Sequence, residues 1–220
     1  MDPTIVKISK KHNYELPAKF LVDDTRYTNS LVKYFLERYT KEGDKILDPF
    51  AGFGTTLYVA ETLNRVPYGV ELRKDRFEFI RSNIKHKENI FNGNSLNISD
   101  INLPRIDFCM TSPPFMTKDD DDYALSNYTT KGLYFDYLAD LTTIFQKIRN
   151  LLKKDGILIV EASNIKNDHI TTLAWDIGIK LSDLFEFKGE VIIDWDGARN
   201  ERGIYGSGYD HSYCLIFKNK

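Results

Sequence analysis

Short apolar runs alternate with stretches of helical spacing along the chain, and this alternation predicts its elements. Over residues 29–39, Leu31, Val32, Phe35, Leu36 and Tyr39 share one helical face, with Asn29 or Ser30 as the N-cap. A strand over 45–47 follows Gly43, then a turn at Gly52 and Gly54, then a helix from Thr55 or Thr56 to Leu63. The unit repeats as a strand over 67–71, a helix over 73–86 and a short strand over 89–92. Residues 106–110 form an almost continuous apolar run, the pattern of a strand buried on both faces. Phe135, Leu138, Leu141, Ile144, Phe145, Ile148, Leu151 and Leu152 then keep helical spacing, and Lys153-Lys154-Asp155-Gly156 predicts the stop. A strand over 157–160, a helix over 168–180, and two strands over 190–195 and 212–217 joined by a glycine-rich loop complete the pattern. The alternation predicts an α/β, doubly wound, mostly parallel seven-stranded sheet with a C-terminal antiparallel hairpin. Ligands of such sheets sit at the carboxyl ends of the strands.

Composition narrows the class. The 220 residues, 42% hydrophobic and 28% charged, show no repeat or linker, so one globular domain over 1–220 is expected. No run approaches the roughly 18 apolar residues that span a bilayer, and no basic-then-apolar segment opens the sequence, so a cytoplasmic protein with no membrane partner is expected. Thirty basic against 32 acidic residues lack the basic excess of many free-standing nucleic-acid binders. The distribution of charge matters more than this sum. Cys109 and Cys214 lie in strand-like runs and read as small buried hydrophobes, and His12, His86, His169 and His211 have no metal-ligand spacing.

Two segments carry chemistry. Asp48-Pro49-Phe50-Ala51-Gly52-Phe53-Gly54-Thr55-Thr56 puts an acid at a strand end and two glycines where backbone approaches a ligand closely. Glu71, at the end of the next strand, is placed to take ribose hydroxyls. Position 57 is Leu, so the phosphate-binding GxGxxG spacing is absent, which favours an adenosine cofactor without phosphates, such as S-adenosylmethionine. The second segment is Thr111-Ser112-Pro113-Pro114-Phe115. Its prolines fix the backbone and hold the carbonyls around them rigidly beside an aromatic ring. Rigid acceptors next to a flat apolar face suit a planar base whose exocyclic amine is gripped after it leaves a helix. No Pro-Cys pair occurs, which disfavours carbon-5 methylation through a cysteine nucleophile.

In combination, Pro17-Ala18-Lys19-Phe20, the Asp48-to-Thr56 loop and the Thr111-to-Phe115 turn resemble the amino-methyltransferase family that includes DNA methyltransferases acting on cytosine N4 or adenine N6. The resemblance covers most of the chain. It implies a Rossmann-like class I methyltransferase fold with S-adenosylmethionine as cofactor. It implies Asp48, Phe50, Ala51, Gly52, Gly54 and Thr55 along the methionine and ribose end, Glu71 on the ribose hydroxyls, Lys19 and Phe20 closing over the methionine, and Asn94 or Ser95 near the adenine. It gives Thr111, Ser112, Pro113, Pro114 and Phe115 the catalytic turn. The Thr-Ser-Pro-Pro form is closer to the cytosine N4 enzymes.

A recognition domain of the kind common in that family has no room in this chain, so readout is expected from loops, a recognition subunit or a homodimer. The loop candidates are 116–131, which carries Asp119 to Asp122, and 196–211, where Arg199, Arg202 and Tyr205 suit phosphate contact and base stacking. The aspartate run itself reads as a solvated face. DNA is the favoured acceptor. The alternatives are a guanine amine of RNA and a non-catalytic subunit that keeps the cofactor pocket.

Overall fold

The computed structural model describes residues 3–12, 15–196 and 203–220. In chain order the elements are β1 (Ile5–Ser9), α1 (Asn29–Tyr39), β2 (Lys45–Asp48), α2 (Thr55–Thr62), β3 (Val66–Glu71), α3 (Lys74–Asn83), β4 (Ile90–Asn92), β5 (Ile106–Thr111), α4 (Tyr134–Leu151), β6 (Leu152–Ala162), β7 (Ile165–Lys166), β8 (Ile170–Thr171), α5 (Leu173–Ser182), β9 (Glu186–Asp196) and β10 (His211–Lys218). The main sheet runs β1-β9-β10-β6-β5-β2-β3-β4. Strands β6, β5, β2, β3 and β4 are mutually parallel, and β10 lies antiparallel between β6 and β9.

The sheet is buried on both faces, and strand residues alternate between two cores as the period of two requires. Ile46, Phe108, Met110 and Ile159 pack with Leu31, Val32, Phe35 and Leu36 of α1. Leu47, Cys109, Leu158 and Val160 face the other way, onto α4 and α5. Both cysteines are fully buried and unbridged. No helix among the described residues is long and apolar enough to cross a membrane.

The doubly wound order is as expected, with four differences. The sheet has eight strands rather than seven, because Ile5–Ser9 pairs parallel with β9 at the edge. That strand buries only Ile8, so it carries little apolar signal. Helix α1 is capped by Thr28, whose Oγ1 accepts from Leu31 N, rather than by Asn29 or Ser30. The Lys153-to-Gly156 segment does not form a loop: β6 starts at Leu152, Asp155 takes a positive φ of 63°, and the α4 end is capped from the far end of the chain. There Asn219 Nδ2 donates to the carbonyls of Arg149, Leu152 and Lys153 at 3.1–3.2 Å, a tertiary cap with no local signature. The helix expected over 168–180 starts at Leu173, after a β7-β8 hairpin.

Candidate active site

At the carboxyl ends of β2, β3, β5 and β6 lies a cavity of about 640 Å³, within the range of small-molecule sites. Its first half is made by the loop after β2. Gly52 and Gly54 adopt φ of 56° and 81°, a region that disfavours side chains. A Cβ on Gly54 would also sit 3.1 Å from Ile80 Cγ1. Ala51 N donates to Val70 O at 2.9 Å and pins the loop to β3. Glu71, buried at the end of β3, accepts Gly52 N at 2.7 Å on Oε2 and Arg73 N at 2.8 Å on Oε1. A carboxylate has roughly four acceptor sites, so about two remain for a ligand. Burial pushes Glu71 up to about 7, against the lowering by the Arg73 amide, the Arg76 charge and the Gly52 amide. Thr55 opens α2 on the cavity wall, and its buried Oγ1 has no partner among the described residues.

The second half is built by the turn after β5. Ser112, Pro113, Pro114 and Phe115 all line the cavity. Tyr137 and Tyr128 hydroxyls donate to the carbonyls of Pro114 and Phe115, each at 2.8 Å. The carbonyl of Pro113, one residue earlier, receives no such hydroxyl among the described residues. The Phe115 ring is 40% exposed at the mouth. Glu161, on β6, is 2% exposed and lines the same wall. Tyr205 also lines it, edge-on to Trp195 with centroids 5.9 Å apart, and adopts φ of 52°. An aromatic residue held in that region stores strain of order 1–3 kcal/mol.

The two halves are tied together beneath the cavity by Asp48. It is fully buried; Oδ1 accepts Thr111 Oγ1 at 2.7 Å and Phe50 N at 3.1 Å, and Oδ2 accepts the Tyr27 hydroxyl at 3.2 Å. Burial raises its pKa in spite of these donors, of which the Thr111 hydroxyl lowers it most.

Most of the residues singled out from sequence meet here. Phe50, Ala51, Gly52, Thr55, Glu71, Asn94, Ser95, Ser112, Pro113, Pro114, Phe115 and Tyr205 form its wall. Asn94 and Ser95 are also structural: Asn94 Oδ1 accepts Leu96 N at 2.9 Å, and Ser95 Oγ donates to Pro49 O. Five do not line the cavity. Asp48 and Thr111 lie beneath the wall, bonded to each other. Gly54 supplies the turn and not the surface. Phe20 is buried against Phe53 and Phe79, centroids 5.1 and 5.5 Å away, and Lys19 Nζ lies 4.6 Å over the Phe20 ring. Neither the exposed Lys19 nor the buried Phe20 lines the cavity, whereas Phe53 does. Arg199 and Arg202 lie outside the described residues. The aspartate run is exposed and stitched into its loop, with Asp121 and Asp122 both 2.8 Å from Lys131 Nζ and Asp120 accepting Thr117 N.

Sequence reasoning missed Arg26, Arg76, Tyr128 and Glu161, all on the wall. Glu161 had a signal, an acid directly after the apolar run Ile157-Leu158-Ile159-Val160, as Asp48 and Glu71 follow theirs. The other three had none, since folding alone brings them to the cavity.

Residues 4–82 match the family model described as DNA methylase, N6_N4_Mtase. That stretch contains β1 through most of α3 and the entire Asp48-to-Glu71 half of the cavity. Over that stretch the chain is similar to that family. It is 37% identical over 65 residues to the type II methyltransferase M.BglII of Bacillus subtilis, covering 30% of this chain and 17% of that protein. It is 36% identical over 92 residues to M.BamHI of Bacillus amyloliquefaciens, covering 40% and 21%. The chain thus spans about a fifth of the length of the curated relatives it matches. Among solved structures, TrmN from Thermus thermophilus superposes with a TM-score of 0.64 at 15% identity, over 92% of this chain and 52% of that one. At that identity the likeness concerns the fold, which is the Rossmann-like methyltransferase fold.

Proposed function

We propose that this protein transfers a methyl group from S-adenosylmethionine to the exocyclic amine of a base in DNA, with cytosine N4 favoured over adenine N6. The observation that carries the reading is the shared cavity, in which the Ser112-to-Phe115 turn faces the same space as Gly52 and Glu71. The residues fit the cofactor: Glu71 has acceptor sites left for two ribose hydroxyls, Thr55 offers an unpartnered hydroxyl, and the loop at Gly52 allows close backbone approach. Phe50, Ala51 and Gly52 would line the methionine and ribose, with Asn94 and Ser95 at the adenine. Bound there, S-adenosylmethionine supplies an electrophilic methyl group.

The chain's own residues prepare the nucleophile. The amine lone pair of a base is delocalised into its ring. The Ser112 side chain and the Pro113 carbonyl accept the two amine protons, which favours a pyramidal nitrogen with its lone pair aligned for transfer. Tyr137 and Tyr128 fix the two following carbonyls and so the turn, and fixed geometry supplies much of such rate enhancements. Phe115 and Tyr205 stack on the extruded base, each contact worth about 1–3 kcal/mol. Recognition falls to the loops 116–131 and 196–211, with Arg199 and Arg202 on phosphates, and to a recognition subunit or second copy. Residues 1–220 act as one methyltransferase domain.

The test is incubation with methyl-labelled S-adenosylmethionine and duplex DNA of mixed sequence. Acid-precipitable label is expected with the wild type and is expected to be lost with Ser112→Ala and Pro113→Ala. Label on RNA alone would replace DNA as the acceptor.

A further inference from the structure

Glu161 is a buried acid that the proposed transfer does not use. It is on β6 beside the catalytic turn: Thr111 pairs with Val160 in the parallel ladder, so Ser112 and Glu161 are the next residues of neighbouring strands. On its other side it pairs with Cys214 of β10. The side chain is 2% exposed, lines the cavity, and leaves Oε1 without a hydrogen-bond partner among the described residues. A buried acid with an unused oxygen is costly unless a ligand meets it.

The groups that act on it come from four elements. They are the Ser112 hydroxyl after β5, the Ser212 hydroxyl and Cys214 thiol of β10, Tyr205 of the 203–209 segment, and Tyr27 ahead of α1. Among the described residues no cation is one of these groups; the cationic side chains that line the cavity are Arg26, Arg73 and Arg76. Burial without a counter-charge favours the neutral acid, and Glu161 is raised accordingly, with the Ser212 and Ser112 hydroxyls opposing the shift.

We propose that Glu161 is the specificity-determining residue for the base, reading its Watson–Crick edge as a neutral carboxylic acid. Its hydroxyl donates to the ring nitrogen that adjoins the exocyclic amine, whose two protons go to the Ser112 side chain and the Pro113 carbonyl. This pattern matches cytosine, where N4 adjoins the acceptor N3, and adenine, where N6 adjoins the acceptor N1. Guanine presents the reverse, an amine at N2 beside the donor N1–H, which only an ionised carboxylate would satisfy. The inference rests on the methyltransferase reading and adds which bases the site admits and in which protonation state.

A glutamine side chain keeps one acceptor and one donor but does not titrate, so it mimics the acid and not the carboxylate. The experiment compares wild type, Glu161→Gln and Glu161→Ala for transfer to duplex DNA and to total RNA between about pH 6 and about pH 9. Cofactor affinity is measured on each protein as a control for folding. The wild type should label cytosine or adenine of DNA and lose kcat/KM as pH rises. Glu161→Gln should keep at least about a tenth of wild-type kcat/KM near neutrality and lose that alkaline decline, while Glu161→Ala drops about 100-fold with cofactor affinity intact. If the wild type labels DNA but Glu161→Gln is as inactive as Glu161→Ala, or keeps the wild-type pH profile, the methyltransferase reading stands and this inference falls. Label on RNA guanine, or no label on either acid, removes both.

Discussion

The two halves of the cavity sit on neighbouring strands and satisfy their acids in opposite ways. In the cofactor half, Glu71 receives the amides of Gly52 and Arg73, both from the strand-end segments that form the pocket. In the acceptor half, Glu161 has one oxygen that nothing among the described residues meets. On the proposed function, the first half is largely complete before cofactor arrives and the second awaits a base. Asp48 bridges them by holding Thr111 and the Phe50 amide together on one oxygen.

If the halves act separately, damage to one should spare the other. The largest effect is expected from Pro113→Ala or Phe115→Ala, which should lower transfer about 100-fold or more while cofactor affinity, measured by calorimetry, stays within about threefold. Equal losses in both quantities would break the comparison. Glu71→Ala should do the converse, weakening cofactor binding by about 10–100-fold, the range for hydrogen bonds to a charged group, with turnover at saturating cofactor near wild type. Thr111→Val removes a donor to buried Asp48 and should cost about 1.5–3 kcal/mol of stability by denaturant unfolding, with loss in both halves because the bridge is shared.

The smallest effect is a pH dependence. Glu71 is held up at about 7, and its ionised form is the better acceptor for ribose hydroxyls. Cofactor affinity should therefore rise with pH to a plateau above about 7, by at most about tenfold per unit below it. Stability of the ligand-free protein should move the other way. A carboxyl raised in the folded state contributes stability that is present below its ordinary range and is lost as pH rises through about 7. Thermal melts with and without cofactor across that window should diverge as pH rises; parallel curves would remove Glu71 from the ribose.

The difference between the halves also decides what could be read from the chain. Asp48 to Thr56 is contiguous, its glycines are demanded by local backbone, and Glu71 ends the next strand, so that half was legible almost residue by residue. What the pattern left open was depth. Phe20, Asp48 and Gly54 do not line the cavity, and a linear pattern does not say which of two adjacent layers faces the ligand. The acceptor half was legible at its turn and at Tyr205. Tyr128, Tyr137 and Glu161 come from three separate segments, and only the parallel pairing of β5 with β6 puts Glu161 beside Ser112. The same holds for the fold. The order of strands followed from periodicity, whereas β1 depends on a partner strand nearly a whole chain away and the Asn219 cap on carbonyls 66–70 residues back.

On the proposed function, the Ser112-to-Phe115 turn grips an exocyclic amine of a DNA base. This grip is tested most directly by digesting methyl-labelled duplex DNA to nucleosides after reaction with the protein and identifying the labelled species by mass. Label on N4-methyldeoxycytidine, or on N6-methyldeoxyadenosine, is the result expected. Label on 5-methyldeoxycytidine, or none on DNA from protein that binds S-adenosylmethionine, would contradict it.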